Sequence, residues 1–274
     1  TGPQRVDDFV LPDQNYLARQ LSRMQDAKAV VLMTYAAGDA AVAKDAPAFM
    51  ALKAAWAAKG VEFMALDSRK GETRDKVKPD AKKIGLDAPI LFDYEQLVGE
   101  QLNVSRTAEV IVIDTKGWNV AYHGPVGMAE QAISGLVAGQ KVAFMAHPGA
   151  GAPIAFPEKG KAFDRITYTK EVAPIIEKKC ASCHQPGGIG PMPLNTYEQV
   201  KGFSPMIREV IRTHRMPPYL ADETVGAFQD DDRLSSEQIK TMVHWVEGGA
   251  QRGKGEDPLA KIKFQAPEWP LGKP

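Results

Sequence analysis

Two rhythms of apolar and polar positions organise the first half of the chain. Residues 28 to 36 are almost continuously apolar and predict a buried strand. From about Val42 to Lys59 the chain is Ala-rich, with Phe49, Met50, Leu52 and Trp56 at helical spacing, and Gly60 ends the helix. Val61 to Asp67 predicts a second buried strand, and the charged residues 69 to 84 a second helix. Pro89 to Asp93 and Ala108 to Asp114 predict a third and a fourth strand. Lys116-Gly117 turns the chain into a fifth, Asn119 to His123. A helix within Met128 to Phe144 closes the pattern. Strands alternating with helices, followed by a late hairpin, define an α/β region with a mixed sheet flanked by helices.

The rhythm stops at His147. Through Lys161 the chain is rich in Gly, Ala and Pro, the composition of a linker. Beyond it the pattern is helical with long loops. Pro174 marks the first turn of one helix and Ser204-Pro205 the start of another. Ser235 and Gln238 form a capping box for the last, with Leu234 and Ile239 as its hydrophobic staple. Ile239, Met242, Val243, Trp245 and Val246 give that helix an apolar flank, and Gly248-Gly249 stops it. The expected organisation is 1–145 as the α/β domain, 146–164 as linker, 165–257 as an all-α domain, and 258–274 as a Pro-rich extended tail.

Composition adds mainly exclusions. The chain has 274 residues and a formal net charge of zero, so no overall field favours nucleic acid. No apolar run approaches the length of a membrane span. The sequence starts at Thr1 with no apolar leader, as a processed export product or a trimmed chain does. The chain has only two cysteines. They stand three positions apart, too close for an unstrained structural disulfide to add much stability.

That pair lies in Cys180-Ala181-Ser182-Cys183-His184. Two thiols in C-x-x-C-H add across the two vinyl groups of a haem, and the adjacent histidine becomes the proximal iron ligand. A zinc site would need two more ligands at similar spacing, and His123, His147, His214 and His244 form no second pair. A thiol redox pair would follow a strand at a helix start, whereas this pair follows the helical stretch Val172, Ile175, Ile176, Lys179. Met216, 32 residues beyond His184, is the candidate distal ligand. The prolines after it, at 217 and 218, would hold its thioether in an extended loop. His214 is its competitor; Met192 and Met206 are weaker candidates, and the bland alternative for Met216 is a core residue. Arg233 could pair with a propionate or simply be solvated.

Two resemblances follow from these residues. Residues 165 to about 257 resemble class I-type cytochrome c domains, through Cys180 to His184, Met216 to Tyr219, Leu234 to Ile239, and Trp245 to Ala250. The resemblance implies one covalent haem c, ligation by His184 and Met216, electron transfer and export to the periplasm. Residues 1 to about 145 resemble the thioredoxin-like redoxin (peroxiredoxin-related) fold. The likeness lies in Asp8 to Pro12, the strand to Tyr35, Gly60 to Phe63, Pro89 to Asp93, and Arg106 to Val110. Where that family carries its redox cysteine this chain reads Thr34-Tyr35-Ala36-Ala37-Gly38-Asp39, and where it keeps a cis-proline there is Ala108. With no thiolate in the domain, redoxin activity is expected to be lost. Such fusions are known in bacteria.

The expected function is single-electron transfer between a redox protein donor and acceptor, with no catalytic residues and the first domain as docking or scaffold module. One alternative is a peroxidase-like haem enzyme using His214 and Glu209. The other is a cytochrome subunit of a larger redox assembly. The run Asp230-Asp231-Asp232 is read as a solvated loop that could steer a partner.

Overall fold

The computed structural model describes residues 4–218 and 232–263, which divide into two compact units at Lys159/Gly160. In the first, a short hairpin of β1 (Val10–Pro12) and β2 (Ala18–Gln20) leads into β3 (Ala29–Thr34). Then follow α1 (Ala40–Trp56), β4 (Val61–Asp67), α2 (Arg74–Ile84), β5 (Ile90–Phe92) and α3 (Leu97–Gln101). The hairpin of β6 (Glu109–Asp114) and β7 (Asn119–Pro125), then α4 (Glu130–Val137) and β8 (Met145–Ala146), complete the unit.

The six-stranded sheet runs β5-β4-β3-β6-β7-β8. β3, β4 and β5 are parallel to one another, and β6 is antiparallel to both β3 and β7. Both faces are covered, so β3 is buried at every position and reads as an unbroken apolar run. Val31 and Met33 face one core with Phe49, Val77 and Ile133; Val30 and Leu32 face the other with Phe9, Leu21 and Val98. The expected mixed sheet is present. Its ends differ from the expectation in physical detail. Asp39 caps α1 by accepting from the backbone N–H of Ala41 and Val42, so the helix starts earlier than its apolar face suggests. The charged segment turns helical only at Arg74. Gly139, at φ +74°, follows α4, which is far shorter than the 128–144 segment. The hairpin β1–β2 and strand β8 carry no periodicity long enough to read.

The linker reading fits less of the chain than its composition suggests. Residues 146–159 belong to the first unit. Ile154 is buried in its core, and Arg106 and Pro153 form an antiparallel bridge.

The second unit is helical. A π-turn at Tyr168–Val172 runs into α5 (Ala173–Lys179), with Pro174 in its first turn. α6 (Tyr197–Gly202), α7 (Ser204–Arg212) and α8 (Ser236–Glu247) follow. The capping box of α8 forms as expected, with Ser235 Oγ accepting from Gln238 N and Gln238 Oε1 from Ser235 N. Trp245 is fully buried against Tyr168, and its indole N–H donates to the Gln251 carbonyl. Asp257 ties the unit's end to its start: it accepts from the Tyr168 hydroxyl at 2.6 Å and the Tyr197 N–H at 2.6 Å. The stretch read as an extended tail begins with a packed 3-10 turn at Leu259–Lys261, in which Leu259 is fully buried; residues 264–274 lie outside the described residues.

Candidate functional site

The sequence places Cys180 and Cys183 just past α5, and the backbone explains how they are presented. The N–H of Cys180 and of Ala181 both donate to the Ile176 carbonyl. Cys183 N (3.2 Å) and His184 N (2.9 Å) then both donate to the Cys180 carbonyl. One tight turn therefore holds both thiols and the imidazole. Both thiols are free; Cys180 is half-buried and Cys183 exposed. Burial, with a smaller effect of neighbouring Cys183, pushes the Cys180 thiol up to about 12. It is thus a neutral thiol at physiological pH, the opposite of the low-pKa thiolate that dithiol exchange needs.

His184 is buried, and its Nδ1 lies 2.9 Å from the Met192 carbonyl oxygen. A carbonyl can only accept, so Nδ1 carries the proton and Nε2 keeps its lone pair for a metal. The loop that supplies this carbonyl folds back onto the motif: Gly190 N donates to the Cys183 carbonyl and Leu194 N to that of His184. Two glycines allow it. A Cβ on Gly190 would lie 2.6 Å from His184 Nδ1, and one on Gly188 2.3 Å from the Cys183 oxygen. Between them Ile189 stands 88% exposed, an apolar side chain in water five residues beyond His184. Sequence reasoning weighed Met192 only for its sulfur and passed over these glycines. The run Gly187-Gly188-Ile189-Gly190 directly after the motif was the signal available.

Met216 follows α7. The N–H groups of Arg215 and Met216 both return to the Val210 carbonyl, after His214 turns the chain at φ +52°. Met216 is 39% exposed and Met206, on α7, 48%. Neither is a core residue. Glu209 forms an exposed ion pair with Arg215. Among the described residues no hydrogen bond or ring contact joins His214 or Met216 to His184. Tyr219 and two of the three aspartates at 230–232 lie outside the described residues. His244, on α8, stacks on Phe163 at 3.9 Å and is buried. Among the described residues no three His, Cys, Asp or Glu side chains converge as a metal-binding group, so a zinc site has no ligand set there.

The residues present fit a covalent haem on four counts. Two free thiols occupy one turn, the buried imidazole beside them is held through Nδ1, glycines let the 187–190 loop pack against that side of the ring, and Nε2 is left for a metal.

At the C-terminal ends of the parallel strands hydrogen-bonded oxygens stand where the resemblance to redoxins implies a thiol. Thr34 Oγ1 donates to the Arg106 carbonyl (2.8 Å) and accepts from Glu109 N (2.8 Å). Tyr35 OH donates to Asp80 at 2.5 Å; burial and that carboxylate push the phenol up. Ala108 sits at φ +58° with its N–H on the Thr34 carbonyl. Asp93 is buried under hydrogen bonds from Ser68 Oγ, Gly99 N and Val98 N, yet burial still lifts it to about 6. Among the described residues Asp67 accepts only from Arg69 N and its Oδ2 has no partner; burial lifts it to about 8. Glu109, held by Ser105 and by His123 Nε2 at 3.1 Å, is shifted down despite its burial. Sequence reasoning did not find these carboxylates. A polar residue closing an apolar strand, as in Leu66-Asp67 and Phe92-Asp93, is their only mark.

Comparison with known proteins places the first unit. Residues 3–122 match the AhpC/TSA family. No curated protein matches the chain. Among solved structures, a hypothetical protein of Sinorhizobium meliloti 1021 is 22% identical with a TM-score of 0.51, over 56% of this chain and 93% of that one. An uncharacterized conserved protein of Geobacillus kaustophilus is 20% identical with a TM-score of 0.51, over 57% and 92%. The peroxidoxin BcpB of Mycobacterium tuberculosis is 26% identical with a TM-score of 0.43, over 51% and 98%. The first unit has an α/β thioredoxin-like fold and is similar to the AhpC/TSA family over residues 3–122. The family match stops short of the second unit, whose reading rests on its own residues. No helix among the described residues is long and apolar enough to cross a membrane.

Proposed function

We propose that the chain is an exported electron-transfer protein. In this reading Cys180 and Cys183 hold one haem c, His184 and Met216 ligate its iron, and the redoxin-like domain is a scaffold or docking module. The observation that carries it is the 2.9 Å contact of His184 Nδ1 with the Met192 carbonyl, which accepts a hydrogen bond there and leaves Nε2 to a ligand, one tight turn from two free thiols. Bound haem would supply a one-electron Fe(III)/Fe(II) couple. The chain's own residues do the rest. The Cys180 and Cys183 thiols would hold the group covalently, the Met192 carbonyl would keep the His184 imidazole basic and oriented, and a Met216 thioether ligand would raise the potential relative to a histidine. Haem c attachment takes place outside the cytoplasm, so the reading includes a periplasmic location. The donor and acceptor are redox proteins, and membership of a larger redox assembly is compatible with the same site.

A peroxidase-like reading is less well supported, because Glu209, its acid–base candidate, is occupied by Arg215 on the surface.

Oxidised and reduced optical spectra test the ligation. A low-spin haem c spectrum with the weak Met-to-iron band in the near infrared is expected, and that band disappears in Met216→Ala. A band that survives Met216→Ala would remove Met216 from the iron, and a high-spin reduced spectrum in the parent protein would defeat the electron-carrier reading.

A further inference from the structure

The stretch that looks like a flexible linker follows a specific path across the first unit. His147 N donates to the His123 carbonyl. Gly149 lies on Glu109, where a Cβ would come within 2.7 Å of Cγ, and Gly151 lies on Thr107, where a Cβ would come within 2.1 Å of the backbone oxygen. Thr107 N donates to the Ala152 carbonyl, Ala152 N to Thr107 Oγ1 at 2.8 Å, and Ile154 N to the Ser105 carbonyl. Arg106 Nη1 reaches the Gly151 carbonyl and Gln96 Nε2 the Ala155 carbonyl, both at 2.9 Å. The Phe156 ring packs on Gly99. The other anchor is equally defined: Phe163 is clamped in the second unit by its stack on His244 and by the close approach of Gly248 to its backbone.

Among the described residues Ile154 and Phe156 pack this strap into the first unit's core, and the His147 ring lies beside that of Tyr122. The rest is Gly, Ala, Pro and one histidine, held by bonds that water can replace. Releasing it removes no strand of the central β3–β4–β6 block and returns conformational freedom to a glycine-rich chain. We propose that residues 147–156 are a releasable latch that sets how much chain is free between the units. When docked, residues 157–162 alone span the gap between anchors. When released, residues 147–162 do, which adds about 30 Å of reach at the extended rise per residue. The latch does not depend on the haem reading and operates with or without a bound group.

Hydrogen exchange on the full chain tests it. The amides of Thr107, Ala152 and Ile154 should exchange about 100-fold or more faster than those of Val31 and Leu32 in β3, as locally opening segments do. Gly151→Val, whose Cβ cannot fit against Thr107, should abolish protection at Ala152 and Ile154. In that variant β3 should stay protected. Strap amides as slow as β3 in the parent protein, or a Gly151→Val chain with unchanged protection, would overturn the proposal. Should Gly151→Val loosen β3 as well, Thr107→Val decides. It removes only the acceptor of Ala152 N, so faster exchange confined to Ala152 and Ile154 supports the latch, and equal acceleration of strap and β3 sinks it.

Discussion

At the scale of single residues, the second unit's chemistry turns on contacts too close to tolerate a methyl group. Gly190 touches the His184 ring, so Gly190→Ala must push the imidazole off the Met192 carbonyl or move the loop. We expect that variant to attach haem poorly, seen as a lower ratio of haem absorbance to protein, while its helical circular dichroism is kept. In the first unit Asp67 and Asp93 titrate in the wrong direction for ordinary surface carboxylates. Burial raises both, to about 8 and about 6. The native state therefore keeps protons that the unfolded chain has released. The resulting stability is fully present below the unfolded values near 4 and is lost as pH rises through the folded ones, at about 1.4 kcal/mol per pH unit for each group titrating. Denaturant melts of the first unit between pH 4 and 8 should show this decline, and Asp67→Asn should flatten it between pH 6 and 8. A stability that rises over that interval would show that Asp67 is ionised in the fold.

At the scale of elements, what could be read from sequence divides along physical lines. β3, β4 and β6 were legible because strands covered on both faces are runs of apolar residues, and the start of α8 because a capping box is a local signal. Cys180, Cys183 and His184 could be proposed together because the chemistry of C-x-x-C-H fixes its spacing. Met216 was named as a candidate from its Pro-Pro context, but no local rule brings a residue 32 positions away to an iron. The buried carboxylates were illegible for a related reason: their roles come from neighbours such as Ser68 and Gly99, which only the folded chain brings together. The strap was read as linker because Gly and Ala signal flexibility by composition, whereas Gly149 and Gly151 serve close approach. Element-level energetics follow from burial. Trp245 joins α8 to the π-turn before α5, and Trp245→Ala should cost the second unit about 3–5 kcal/mol, read from its denaturation midpoint. Ser235→Ala, which removes only the cap, should cost about 1 kcal/mol.

At the scale of the molecule, a redoxin-like domain without a thiol is joined to a helical unit that holds both of the chain's cysteines. The described residues divide into two compact units. A calorimetric scan should resolve two transitions, with Trp245→Ala lowering one and Asp67→Asn altering the pH response of the other. On the proposed reading the redox-active centre lies at Cys180–His184 and not at the sheet. Intact mass and peptide mapping of protein matured in a periplasm with haem c assembly machinery test that idea most directly. The account predicts one porphyrin per chain, on the peptide containing Cys180 and Cys183, absent when both are changed to alanine. Chains recovered with both thiols unmodified, or with the porphyrin mass on any other peptide, would contradict it.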